Sequence, residues 1–215
     1  MQGKIAFEEH FAVDETLGQT TAYAGESARV DDFTRQILDL GEERLGHMDA
    51  TGIELAILSL NAPGIQRIVD PAEALAVAQK ANDTMADAVR RHPDRYRALA
   101  ALPMHDAKLA GDELTRAVRE LGLKGAMVNG FQQTGDAETV SYYDQPEYRD
   151  FWAVVAELDV PFYLSRAAIP HLQRTAGSIV NIASQTAFNG SAGFSHYTAS
   201  KGAVVSMTRS LATEL

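Results

Sequence analysis

Up to Leu164 the chain alternates short apolar runs with longer stretches in which apolar residues recur every three or four positions. The short runs are Lys4–Phe7, Glu54–Leu60, Tyr96–Leu102, Lys124–Val128 and Val160–Leu164, and their continuity predicts buried strands. Between them the helical period predicts four helices. The first is opened by Asp31 or Asp32, carries Phe33, Ile37, Leu38, Leu45 and Met48 on one side, and stops near Gly52. The second runs from Asp70-Pro71 to about His92, where Asp70 offers a side-chain acceptor to the first turn and Pro71 lacks a donor that turn could not use. The others span about Asp106–Leu121 and Pro146–Leu158. Turn residues punctuate the pattern at Asn61-Ala62-Pro63-Gly64, Asn129-Gly130 and Gly135-Asp136. About five strands alternating with helices predict a parallel α/β sheet with right-handed crossovers.

Beyond Leu164 the pattern continues with a helix at Arg166–Gln173, a strand at Ser178–Ala183, a loop of small residues at Gln185–Phe194 and a long helix from His196 to Leu215. That helix meets the last residue without a C-cap, the pattern expected of a truncated chain. The composition changes at the same place. Residues 165–215 hold four basic residues, Arg166, Arg174, Lys201 and Arg209, against one acid, Glu214, for a net of +3, so the chain's net charge of −10 leaves −13 on residues 1–164. We therefore expect two domains, 1–164 and 165–215. With no cysteine there is no disulfide, thiolate metal site or cysteine nucleophile, in keeping with a cytoplasmic protein. The acidic balance argues against nucleic-acid binding. No run reaches the length of a membrane span, and no signal peptide is expected.

Two constellations carry chemistry. On a regular strand Glu8 and His10 share one face, and a carboxylate beside an imidazole suits a divalent metal. Around them KIAFEEHF (Lys4–Phe11), LSLNAPGIQ (Leu58–Gln66), KANDTMAD (Lys80–Asp87), HPDRYRALAALP (His92–Pro103), GAMVNGF (Gly125–Phe131) and YYDQPEYRDFWAVVAELDVPFYL (Tyr142–Leu164) resemble the aromatic-acid decarboxylases of the amidohydrolase superfamily. The resemblance covers residues 1–164. It implies an incomplete (β/α) barrel, a divalent ion (Mn or Zn) held by Glu8 and His10, and a small aromatic acid lined by Tyr23, Asn61 and Asn129. It also implies homo-oligomers. Asn61 and Asn129 equally serve as turn residues. The implied chemistry is non-oxidative loss of CO2 from a hydroxylated benzoate. Ser165 stands where the resemblance implies a third metal-ligating histidine.

The second constellation is Ser184, Tyr197 and Lys201. Tyr197 and Lys201 lie one turn apart on a helix, so the ammonium lowers the phenol's pKa and prepares it for acid–base work. The stretch from Ser165 to Leu215, with Ser184 thirteen residues before Tyr197, resembles the short-chain dehydrogenases/reductases and continues the fold as a Rossmann-type helix–strand–helix segment. The resemblance implies catalytic Ser184, Tyr197 and Lys201, with Lys201 also holding NAD(P). The glycine-rich turn that would seat the cofactor pyrophosphate is absent from the sequence. Three functions follow as expectations: a metal-dependent carboxy-lyase impaired by an incomplete site, an NAD(P)-dependent oxidoreductase, and a non-catalytic chimera prone to self-association. His47, His92, His105 and His171 are expected to be isolated or solvated, and Tyr148, Phe151 and Trp152 to face the core.

Overall fold

Three of the predicted strands pair side by side. In the computed structural model, which describes residues 4–18, 30–129, 131–133, 135, 139–160, 183–190 and 195–214, β1 (Lys4–Phe11), β2 (Ile53–Leu60) and β3 (Tyr96–Ala98) form a parallel sheet in chain order. Helices α1 (Val30–Leu38) and α2 (Glu42–Thr51) connect β1 to β2, and α3 (Pro71–Arg91) connects β2 to β3. Helix α4 (Ala107–Arg119) follows β3.

The single helix expected between Asp31 and Gly52 is two. Its apolar period runs through the break, but the Asp39 carboxylate accepts the backbone N–H of Arg44 at 2.8 Å and so serves the first turn of α2. Leu40 is buried at the joint. The predicted end at Gly52 holds, and its φ of 73° is the left-handed cap that glycine tolerates best. Asp70 caps α3 through the Glu73 N–H at 2.8 Å, and Asp106 caps α4 through Lys108 and Leu109.

The third and fourth predicted strands are shorter than their apolar runs. Beyond β3 the chain is held to the next segment by an isolated parallel bridge, Ala100 to Ala126, with Ala100 N–H donating to the Gly125 carbonyl at 2.8 Å and Met127 N–H to the Ala100 carbonyl at 3.0 Å. Gly125 has a φ of 147°, which interrupts the regular extended backbone. The fifth predicted strand lies outside the described residues from its second position onward. The predicted loop near Gly135 contains a small antiparallel pair, β4 (Gln132–Gln133) and β5 (Val140–Ser141). Helix α5 (Arg149–Glu157) then follows one 3-10 turn at Pro146–Tyr148.

The core lies between the sheet and its helices. Ala56, Leu58 and Tyr96 of the sheet are sealed against α3, whose inward face is Ala74, Ala78, Ala81, Met85 and Ala88. Those small side chains let the helix approach the strands closely, so apolar area is removed from water without large residues on both sides. Tyr148 and Phe151 are buried as expected, and Trp152 donates its indole N–H to the Tyr143 carbonyl at 2.7 Å.

The chain divides into two compact units, Met1–Phe162 and Tyr163–Leu215. In the second, α6 (Thr186–Asn189) interrupts the predicted small-residue loop, and α7 (Ser195–Glu214) is the predicted long helix. The expected helix at Arg166–Gln173 and most of the strand Ser178–Ala183 lie outside the described residues.

Candidate active site

His10 stands one residue before the end of β1, and the β1–β2 register sets it opposite Ser59. The two side chains meet, His10 Nδ1 to Ser59 Oγ, at 2.9 Å. Ser59 is fully buried. With Nδ1 engaged, the ring is oriented and Nε2 is the nitrogen left for a ligand. Sequence reading missed Ser59, although one polar residue inside an apolar strand is the signal that could have found it.

Glu8 lies where the sheet is irregular. Between Ala6 and Glu9 the strand spends one residue more than β2 does between Ala56 and Leu58, so the regular two-residue repeat that would bring Glu8 and His10 to one face does not hold there. The Glu8 side chain is outside the described residues. Glu9 reaches toward Arg44, 3.9 Å away. Arg44 also clamps the backbone, donating from Nη2 to the His10 carbonyl at 2.9 Å and from Nε to the Asp39 carbonyl at 2.8 Å.

A cavity of about 400 Å³ opens beside His10, lined also by Phe33, Gln36, Ile37, Arg44, Asn61 and Ala62. Asn61 is buried, and its amide is engaged with Thr16: Oδ1 accepts from Thr16 Oγ1 at 2.8 Å and Nδ2 donates to the Thr16 carbonyl at 3.4 Å. Asn129 lines a second cavity, of about 710 Å³, and donates from Nδ2 to the Pro63 carbonyl at 3.1 Å. Asn61 and His10 therefore share one cavity while Asn129 borders another, with Ala62 common to both rims. Tyr23 lies outside the described residues.

One donor suits a divalent ion in kind, the oriented imidazole of His10. The donors fall short in number: among the described residues no three His, Cys, Asp or Glu side chains converge. His105, expected to be isolated, is instead half-buried, with its Nε2 2.6 Å from the amide nitrogen of Gln132.

In the second unit Ser184 serves the start of α6. Its Oγ accepts from the Thr186 N–H at 3.3 Å and the Thr186 hydroxyl at 3.0 Å. Tyr197 and Lys201 both fall on α7, one turn apart. Lys201 is half-buried, and the Tyr197 side chain lies outside the described residues.

Comparison with known proteins gives two answers. A gamma-resorcylate decarboxylase of Rhizobium radiobacter is 50% identical over 165 residues, 76% of this chain and 50% of that protein. Among solved structures, 2,6-dihydroxybenzoate decarboxylase from Rhizobium superposes with a TM-score of 0.70 at 48% identity, over 74% of this chain and 48% of that one. The dihydroxybenzoic acid decarboxylase of Polaromonas, solved with bound manganese and the inhibitor 2-nitroresorcinol, gives 0.71 at 42% identity, over 80% and 55%. The chain spans about half the length of the curated relatives it matches. A family model described as short chain dehydrogenase matches residues 106–215. The two kinds of match overlap, since together they exceed the chain's length, and a helix followed by a parallel strand is a step both α/β lineages contain. Through residues 106–215 the chain belongs to the short chain dehydrogenase family, and through about three-quarters of its length it is similar to the gamma-resorcylate decarboxylases of the amidohydrolase superfamily.

Proposed function

We propose that the chain carries part of a metal-dependent, non-oxidative decarboxylase site for hydroxylated benzoates such as 2,6-dihydroxybenzoate, and that its turnover is impaired. The observation that carries the reading is His10, held by Ser59 at the end of a strand in a parallel sheet and opening onto a cavity. That arrangement occurs in a segment half identical to enzymes named for this reaction. A bound Mn or Zn ion would supply a Lewis acid for the substrate's carboxylate and its ortho hydroxyl. His10 would hold it through Nε2, with Glu8 as the second ligand. Arg44 fixes the backbone carbonyl of His10 and so the ring's position. Asn61, which borders the His10 cavity, would be the amide available to a hydroxyl of the acid, while Asn129 borders the other cavity.

Losing CO2 from an aromatic ring leaves an electron pair on the ring carbon, which a proton must take up. The described lining of the His10 cavity contains no carboxylic acid to give that proton. Two ligands also grip a divalent ion weakly, and Ser165 supplies no imidazole. Full decarboxylase geometry therefore needs groups beyond those named.

The test is manganese binding to the purified chain, followed by CO2 release from 2,6-dihydroxybenzoate. We expect weak binding that His10→Ala abolishes. Manganese binding indifferent to His10→Ala would overturn the reading.

A second reading, an NAD(P)-dependent oxidoreductase, has the family match and the helical pairing of Tyr197 with Lys201 in its favour. The donors for the cofactor do not fit. Its pyrophosphate needs glycine-rich backbone at a helix N-terminus, and no G-x-G-x-x-G occurs in the sequence.

A further inference from the structure

The chain has five asparagines, and two of them, Asn129 and Asn189, are followed by glycine. An asparagine amide is open to attack at Cγ by the backbone nitrogen of the next residue, and a side chain on that residue hinders the approach. Glycine has none. Asn61, Asn82 and Asn181 precede Ala62, Asp83 and Ile182, each with a Cβ in the way.

The fold treats the two asparagine–glycine steps differently. Asn129 is half-buried, and its Nδ2 donates to the Pro63 carbonyl at 3.1 Å, so turning the amide toward the following peptide first costs that bond. Asn189 is exposed, as is Gly190. It is the last residue of α6, a single turn with no buried residue. A turn that buries nothing has no packing to offset its ordering, so it opens locally at little cost. The attacking atom is engaged only while the turn is closed, through the Gly190 N–H donating to the Thr186 carbonyl at 2.9 Å. The space beside Gly190 is open, since no described atom lies within 4 Å of where a Cβ would stand.

We infer that Asn189 is a site of spontaneous covalent modification, deamidating through a cyclic imide with Gly190 to isoaspartate and aspartate. The Gly190 nitrogen loses its proton and forms a bond to Asn189 Cγ, the Cγ–Nδ2 bond breaks, and ammonia leaves. Water then opens the imide at either carbonyl. One water enters and one ammonia leaves, with nothing oxidised or reduced. Either product adds a carboxylate to a unit in which basic residues outnumber acids four to one. Isoaspartate also routes the main chain through the former side chain, lengthening it between α6 and α7, the helix that carries Tyr197 and Lys201. The inference is independent of both functional readings, because the reaction needs neither metal nor cofactor.

The test is to age the full chain in mildly alkaline buffer and map its peptides by mass spectrometry that separates isoaspartate from aspartate, with released ammonia measured alongside. In the folded chain Asn189 should convert at least about fivefold faster than Asn129, the factor that one hydrogen bond imposes on opening. In guanidinium chloride the two rates should converge, because the chemical step is the same. Asn189→Gln, whose ring would be one atom larger, should lose most of the early ammonia release while keeping the parent's thermal midpoint, since the side chain it replaces is exposed. Absence of isoaspartate at Asn189, conversion of Asn129 as fast as Asn189 in the folded chain, a rate difference that persists in guanidinium chloride, or ammonia release undiminished by Asn189→Gln would each overturn the inference.

Discussion

At the scale of single residues, what the sequence hides is a partner supplied from a distant part of the chain. His105 reads as an isolated polar residue after a proline, yet the fold half-buries it against Gln132, whose amide nitrogen lies 2.6 Å from its Nε2. Gln132 Nε2 also meets the carbonyls of Gln66 at 2.6 Å and Gln133 at 3.1 Å. Desolvation keeps the imidazole's pKa below the ordinary histidine value, against the smaller upward pull of a backbone hydrogen bond at Ile68 and the charge of Asp70. The unfolded chain takes up this proton near pH 6.5 while the folded chain resists it, so the unfolded state binds more protons as the pH falls below that point. Stability is therefore full above about pH 6.5 and declines toward the depressed folded value, by at most about 1.4 kcal/mol per pH unit from this group. Thermal midpoints measured from pH 7.5 down to 5.5 should fall, and the fall should be smaller in His105→Gln. The same non-local logic hid Ser59: its neighbours in sequence show a strand, but only the parallel register shows His10 across from it.

At the scale of elements, helices were legible and strand lengths were not. Asp70, Asp106 and Gly52 act within one turn of themselves, so their sequence signals suffice to set an end. The α1–α2 break escaped because the apolar period continues across it and the residue serving the new helix, Asp39, sits two residues ahead of the helix's cap position, which Gly41 occupies. Strand length depends on a partner's backbone, and Gly125 ends regular pairing where the apolar run alone would extend it. Between helices the same dependence produces a buried polar joint that sequence cannot show. Glu113 on α4 is sealed from solvent and accepts the guanidinium of Arg116 at 2.8 and 2.9 Å, while Asn82 on α3 donates to it at 2.7 Å and to the Ala101 carbonyl at 2.9 Å. Arg116 also reaches Asp83 at 2.8 Å, joining α4 to α3 a second time. The hydrogen bonds that Arg116 donates to Glu113 raise the pKa of its guanidinium further, against the opposing pull of burial. Arg116→Ala strands a buried carboxylate and should cost about 3 kcal/mol in urea unfolding. Glu113→Gln, which keeps the shape and the Asn82 contact, should cost clearly less.

At the scale of the whole molecule, the sequence resembles two lineages and steps in charge near residue 165, and the structure divides into two compact units, Met1–Phe162 and Tyr163–Leu215. What stayed illegible was whether either set of candidate residues forms a working site, because that depends on groups brought from elsewhere. A metal site needs a third ligand converging on His10, and a dinucleotide site needs glycine-rich backbone ahead of the Tyr197 helix. Lys201 in a dehydrogenase works together with the cofactor ribose, and no G-x-G-x-x-G occurs in this sequence to seat the pyrophosphate beside it. Titrating the chain with NADPH should consequently leave the cofactor's emission spectrum unchanged up to millimolar protein. Tyr197→Phe should leave manganese binding unaltered. A shift in NADPH emission that Lys201→Ala removes would show instead that the family match at residues 106–215 carries a usable cofactor site built without the glycine-rich turn.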